Sequence, residues 1–249
     1  MTQGVLLFCF DTSESNYHRI LERCVSLLKK NIGLPITVVT DSETFKKIQP
    51  MEFVDYKLIE PETGNTLLGK EWKNCDRHMA YELSPYDKTL VLDIDYFCFT
   101  DNLKSCFDTQ HEFLVTSRAH DLAGFNSFDL REFSMIPMVW ATVLYFRKTE
   151  KVKKIFQTVK YVKDWYPYFV ELYRINSKNF RNDYAFAIAL RQINGFMDYE
   201  QFPFSIPTLP RDCEVTQITE KGLSWKYGKE AGIVEDQDVH VLNKEIANV

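Results

Sequence analysis

The sequence predicts an α/β fold in one domain, with a mixed, mostly parallel sheet flanked by helices on both faces. Three observations lead there. Apolar runs of strand length recur at 5–10, 35–40 and 89–94. The stretch between the first two repeats its apolar residues at helical spacing. The resulting β-α-β-α order is that of parallel strands joined by helical crossovers.

Val5–Phe10 is a continuous apolar run, the pattern of a strand buried on both faces. Polar Asp11-Thr12-Ser13 interrupts it. From about Asn16 to Lys30, Ile20, Cys24, Leu27 and Leu28 share one helical face, and Gly33 and Pro35 end the helix. Pro35–Thr40 reads as the second strand, with Asp41 placed to cap the short helix after it. Met51–Glu60 reads as a third strand and Pro61–Gly69 as a loop. Between Lys70 and Leu83, the residues Trp72, Cys75, Met79 and Leu83 make an apolar helical stripe, with Arg77 off it.

Ser84-Pro85-Tyr86-Asp87 is a turn leading into Thr89–Ile94, a strongly hydrophobic strand. Glu112–Ser117 is another strand, followed by a polar, glycine-containing stretch to about Met135. Val139–Phe146 reads as a strand and Glu150–Tyr173 as one long helix bent at Pro167. Asn182–Gln192 is a helix stopped by Asn194-Gly195. Short β-like runs from Phe202 end in Val239–Leu242. No repeat, low-complexity segment or interdomain linker interrupts the chain.

Composition narrows the class. With 249 residues, 45% of them hydrophobic and 14% aromatic, the chain can build a sizeable core. A net charge of −5 argues against a generally basic nucleic-acid binder. No charged segment precedes the first apolar run, and no run approaches the roughly 18 residues needed to span a bilayer. The expectation is a soluble, cytoplasmic protein without a membrane partner. The six cysteines, at 9, 24, 75, 98, 106 and 213, form no CxxC pair and sit mostly in apolar runs, as small hydrophobes do.

The chemistry concentrates at Asp93-Ile94-Asp95. On an extended strand, alternation sends both carboxylates to one face and Ile94 to the other. Two carboxylates that close repel unless a cation lies between them. Oxygen ligands suit Mn²⁺ or Mg²⁺, ions that keep positions open for substrate phosphates. The end of a parallel strand is also where open α/β sheets bind ligands.

Arg77, the turn Pro85-Tyr86-Asp87-Lys88, the strand Thr89–Leu92 and Asp93-Ile94-Asp95 resemble the central segment of GT-A (Rossmann-like) glycosyltransferases, especially the glycogenin and galactosyltransferase-like group. That resemblance implies a nucleotide-sugar donor, UDP-linked, with Arg77 helping to hold its diphosphate. Asp238-Val239-His240-Val241-Leu242-Asn243-Lys244 looks like the family's C-terminal element, without its usual Gly and Pro-Trp. His240 is then the third metal ligand and Lys244 the diphosphate-binding cation. The resemblance also implies a nucleotide-binding half over 1–100 and an acceptor-binding half over 101–249. Asp11 and Thr12 fall where the family seats base and ribose. Tyr17 is a candidate to stack on the base, or a core aromatic of the following helix.

Asn182 reads as a helix cap. Asp183 sits where relatives place an acid facing the sugar or acceptor, where a carboxylate binds hydroxyls or acts as a base; the alternative is a first-turn acid serving the helix dipole. Trp140–Arg147 resembles the strand beside the acceptor pocket. Seven basic residues, Arg147, Lys148, Lys151, Lys153, Lys154, Lys160 and Lys163, face one acid, Glu150, over 147–163. They read as a solvated helix face or as a phosphate-contacting ridge. The short single-domain form resembles bacteriophage-encoded GT-A enzymes, some of which glycosylate hydroxymethylated pyrimidines. That implies duplex DNA as one acceptor, with protein or polysaccharide as alternatives. Two rival classes are a haloacid-dehalogenase-like phosphatase, which also carries a strand-end DxD, and a binding protein without turnover.

Overall fold

The computed structural model describes residues 1–67, 69–124 and 134–249. Strand β1 (Gln3–Cys9) leads into helix α1 (Tyr17–Asn31), β2 (Ile36–Thr40), the short α2 (Ser42–Phe45) and β3 (Val54–Leu58). A small hairpin follows, β4 (Thr66–Leu67) and β5 (Lys70–Glu71), then a 3₁₀ turn at Arg77–Met79, α3 (Ala80–Leu83) and β6 (Lys88–Asp93). The second half runs through β7 (Tyr96–Phe97), a 3₁₀ turn at Asn102–Phe107, β8 (Phe113–Thr116), β9 (Ala119–Asp121) and β10 (Trp140–Arg147). Helices α4 (Glu150–Asp164), α5 (Tyr166–Tyr173) and α6 (Asn182–Ile193) come next. The chain ends in β11 (Ile206–Leu209), a β12–β13–β14 meander (Glu214–Ile218, Gly222–Tyr227, Glu230–Glu235), β15 (Val239–Val241) and a 3₁₀ turn.

The main sheet has the order β3-β2-β1-β6-β10-β8. β1, β2, β3 and β6 are mutually parallel, and only β10 is antiparallel to its neighbours. This is the expected mixed, mostly parallel sheet. Its central strands are fully buried, which explains why β1 and β6 read as unbroken apolar runs rather than alternating ones. Gly4 is required on β1 because a Cβ there would fall inside the Tyr86 ring, whose hydroxyl bonds Thr37 Oγ1 at 2.9 Å. A second sheet, β7-β15-β11-β9, takes β7 from the chain just beyond β6.

Several expected elements form differently. The third strand covers only Val54–Leu58, and the loop after it contains the hairpin strand β4. Residues 70–76 are not helical; Lys70 and Glu71 pair in the hairpin, and helix begins only at Arg77. The apolar spacing there served tertiary packing rather than one helix face. The long helix breaks at Trp165 into α4 and α5, with Pro167 in the first turn of α5, where its missing N–H costs nothing. The polar stretch expected after Ser117 begins with β9, and its part at 125–133 lies outside the described residues. All six cysteines are buried and unpaired. Among the described residues no helix is long and apolar enough to cross a membrane.

Candidate active site

β6 carries Asp93 in register with Phe8 of β1, at the carboxyl edge of the main sheet. The chain then leaves the sheet, turning at Ile94-Asp95 before β7 begins at Tyr96. Strand alternation therefore does not bring the two carboxylates together, as the sequence pattern suggested; the turn does. His240 reaches them by strand pairing. β15 sets His240 opposite Tyr96, and the Val241 N–H donates to the Asp95 carbonyl at 2.9 Å. One ligand atom each of Asp93, Asp95 and His240 lies within 4.8 Å of the others.

The donor set suits a hard divalent cation: two carboxylates and an imidazole that burial holds neutral. His240 is 4% exposed, and burial pushes its pKa from 6.5 to about 4, against the pull of Asp93 and Asp183. A neutral imidazole is the form that ligates metal. Its Nε2 lies 3.5 Å from Asp95 Oδ1, and the Trp140 ring meets it edge-on at 6.0 Å.

Two cations complete the cluster. Arg77, expected off the apolar stripe of a helix, is 2% exposed, with its guanidinium on the Asp93 carboxylate and the Ala141 carbonyl. Burial works to raise the Asp93 pKa, but Arg77 foremost, with His240 and Lys244, holds it below the usual carboxylate value. The Lys244 ammonium sits on Asp95, and burial lowers its pKa to about 8 despite the attraction of Asp93. Asn74 Nδ2 also donates to Asp93 Oδ1 at 3.3 Å.

Asp183 opens α6, a helix buried around nearly its whole circumference. Its carboxylate accepts from the Ala141 N–H at 3.1 Å and from Arg181 at 2.7 Å, so it is tied across to β10 rather than serving only its own helix. Asn182 does not cap α6: Arg181 is the N-cap residue, and Asn182 Nδ2 donates to the Asn74 carbonyl at 2.7 Å. All these groups line one cavity of about 150 Å³ together with Thr12, Tyr17, Trp72 and Thr142. A cleft of about 470 Å³ adjoins it and shares Thr12, Tyr17, Trp72 and Lys244. Tyr17 is mostly enclosed, and burial raises its hydroxyl to about 12.

Asp11 stands apart. Its carboxylate accepts from the His18 N–H (2.9 Å) and Lys47 (3.0 Å) and lies 2.7 Å from His18 Nδ1, and it does not line the cavity. It anchors the start of α1. Sequence reading missed Trp72, Lys73, Asn74 and Arg181, which line the cavity, because the first three sat inside a presumed helix. The basic ridge is also divided. Lys163 pairs with Asp76 and Glu62 at 2.6 Å, Lys160 with Asp164 at 2.6 Å, and Lys148 and Arg147 bond carbonyls. The side chains of Lys151, Lys153 and Lys154 have no such partner among the described residues.

Eleven buried side-chain polar atoms among the described residues lack a hydrogen-bond partner, and five belong to residues lining this cavity: Asn74, Arg77, Arg181, Asn182 and His240. Such atoms are costly within a folded protein.

No protein-family model matches the chain, and no curated protein matches it significantly. Solved structures do. The galactosyltransferase LgtC, in complex with donor and acceptor sugar analogues, superposes with a TM-score of 0.51 at 16% identity, over 75% of this chain and 70% of that one. An active-site mutant of LgtC gives 0.50 at 16% identity, over 75% and 69%. The apo form of the glycosyltransferase GlyE of Streptococcus pneumoniae gives 0.46 at 17% identity, over 81% and 45%. The fold of this chain is the GT-A fold.

Proposed function

We propose that the chain is a metal-dependent glycosyltransferase that moves a sugar from a nucleotide-sugar, UDP-linked, to an acceptor hydroxyl. The observation that carries this reading is the meeting of Asp93, Asp95 and His240 with two cations at one cavity. Asp93, Asp95 and His240 would hold Mn²⁺ or Mg²⁺, which when bound supplies a Lewis acid for the donor's diphosphate.

The chain's own groups do the rest. Arg77 and Lys244 offset charge on the departing diphosphate, in a site sheltered enough for that to matter. Thr12 and Tyr17 flank the nucleoside. Asp183, fixed by Ala141 and Arg181, faces the sugar and acceptor and receives or steadies the acceptor proton. On this reading residues 1–100 form the nucleotide-binding half and 101–249 the acceptor-binding half. A phosphatase would need a free aspartate nucleophile, and Asp93 instead carries Arg77 and Asn74.

The test is a screen of UDP-, GDP- and dTDP-sugars for Mn²⁺-dependent thermal stabilisation and slow donor hydrolysis, with Asp95→Asn alongside. The native protein should respond to metal and donor together, and the variant should not. A native protein indifferent to every donor would defeat the reading.

Duplex DNA carrying hydroxymethylated pyrimidine is the more specific acceptor to examine. Three lysines on α4 whose side chains have no ion-pair partner among the described residues are its support. A protein that contacts about 6–10 phosphates loses affinity steeply as salt rises. A gel-shift series at rising salt decides this branch: salt-sensitive binding lost in a Lys151, Lys153 and Lys154 triple replacement favours DNA, and absence of binding favours a glycan or protein acceptor.

A further inference from the structure

We infer that the outer edge of β3 is a docking strand for a second copy of this chain, the two strands running antiparallel about Tyr56. The dimer does not depend on what the cavity binds. β3 ends the main sheet, and among the described residues no strand lies beyond it. At the opposite edge, by contrast, Gln201 bridges Val115 of β8, and the Phe202 N–H donates to the Val115 carbonyl at 3.2 Å. The Ile59 N–H, one step past β3, donates inward to the Thr40 carbonyl at 2.9 Å. Backbone groups alternate in direction along a strand, so Val54, Tyr56 and Leu58 turn their N–H and C=O groups outward. Such a row is a template for another strand. Leu58 is 54% exposed and Phe53, just ahead of the strand, 75%, so this edge is apolar as well as open.

Charge decides which strand fits. Asp55 and Lys57 share one face of β3, and neither has an ion-pair partner among the described residues. Charged side chains commonly keep an edge from pairing. Here the order of the two signs does the reverse for an identical strand. In antiparallel pairing centred on Tyr56, Asp55 of each copy stands opposite Lys57 of the other. These are the non-hydrogen-bonded positions, where side chains approach closest. The same register sets Leu58 opposite Val54 and lets Val54, Tyr56 and Leu58 exchange their outward backbone groups. Sliding one copy by two residues puts Asp55 against Asp55 or Lys57 against Lys57, which repel. The edge is therefore complementary to itself about a two-fold axis, as a closed dimer requires.

Sedimentation velocity over a protein concentration series reads the association directly. Native protein should move toward twice the monomer mass as concentration rises. Asp55→Lys and Lys57→Asp each set like charges opposite one another, and each should weaken association about tenfold or more. The double variant, with the two charges exchanged, should associate as the native protein does. An equimolar mixture of the two single variants should also associate, because each chain supplies the sign that the other lacks. Both recoveries need folded chains, so they separate lost pairing from lost structure. Native protein that stays monomeric at every concentration overturns the proposal. So does a dimer that withstands both single reversals, or one that neither the exchange nor the mixture restores.

Discussion

His240 Nε2 lies 3.5 Å from Asp95 Oδ1, although 144 residues separate the two in the chain, and Lys244 holds the other oxygen of the same carboxylate. One short strand pairing, His240 opposite Tyr96, produces this contact. It turns a two-residue acidic motif into a cluster of two carboxylates and an imidazole, with the Lys244 ammonium at its rim.

Metal binding should therefore depend on Asp95 more than on overall fold. At about a hundredfold excess of Mn²⁺ over its dissociation constant, linkage gives roughly 2.7 kcal/mol of stabilisation. For a domain of this size that is a rise in Tm of about 5–10 °C. Differential scanning fluorimetry should show the rise in the native protein and none in Asp95→Asn.

His240 sets a pH dependence. Its folded-state pKa of about 4 lies below the ordinary 6.5, so between those values the folded protein holds fewer protons than the unfolded chain. Stability from this residue is complete above pH 6.5 and falls as the pH drops toward 4, by roughly 3 kcal/mol. Urea unfolding at pH 7 and pH 4.5 should show a smaller difference for His240→Gln than for the native protein. An unchanged difference would mean that the imidazole is not held neutral by burial.

Arg77 is both a buried cation and the partner of Asp93 and the Ala141 carbonyl. Removing one member of a buried pair leaves the other uncompensated, at a cost of about 3–5 kcal/mol. Arg77→Met should lose that much stability in urea titration even without donor or metal, whereas Lys151→Ser, on an exposed helix face, should stay within about 0.5 kcal/mol of native.

Asp183→Asn keeps one oxygen to accept from the Ala141 N–H, but its other position becomes an N–H₂ that cannot accept from Arg181. Loss of that charge-assisted bond should lower the Tm by several degrees, while donor turnover falls by about 100-fold or more if the carboxylate takes part in proton transfer. Nucleotide release measured alongside the melting curve separates the two effects. Turnover at the native rate would return Asp183 to a purely structural role.

The sheet was legible because its central strands are buried on both faces, so β1 and β6 appear as continuous apolar runs between polar turns, and β2 as a β-branched run. Helices α1 and α4 were legible from periodicity, α6 from the Asn194-Gly195 stop that follows it, and Asp41 from its capping position, where its carboxylate accepts from the Thr44 N–H at 2.6 Å. The DxD pair and His240 could be named from motif and resemblance. What joins them could not. The turn at Ile94-Asp95, the pairing of β15 with β7 and the burial of Arg77 are long-range events that local spacing does not encode. Residues 70–76 show why: their apolar side chains fall at helical spacing, yet the hairpin and the cavity wall claim them, since tertiary contacts outweigh propensities worth a fraction of a kcal/mol per residue. Sequence named candidate residues for the chemistry and the strands that form the frame; only the folded chain decided which charges meet, because a carboxylate's partner is set by distance in space.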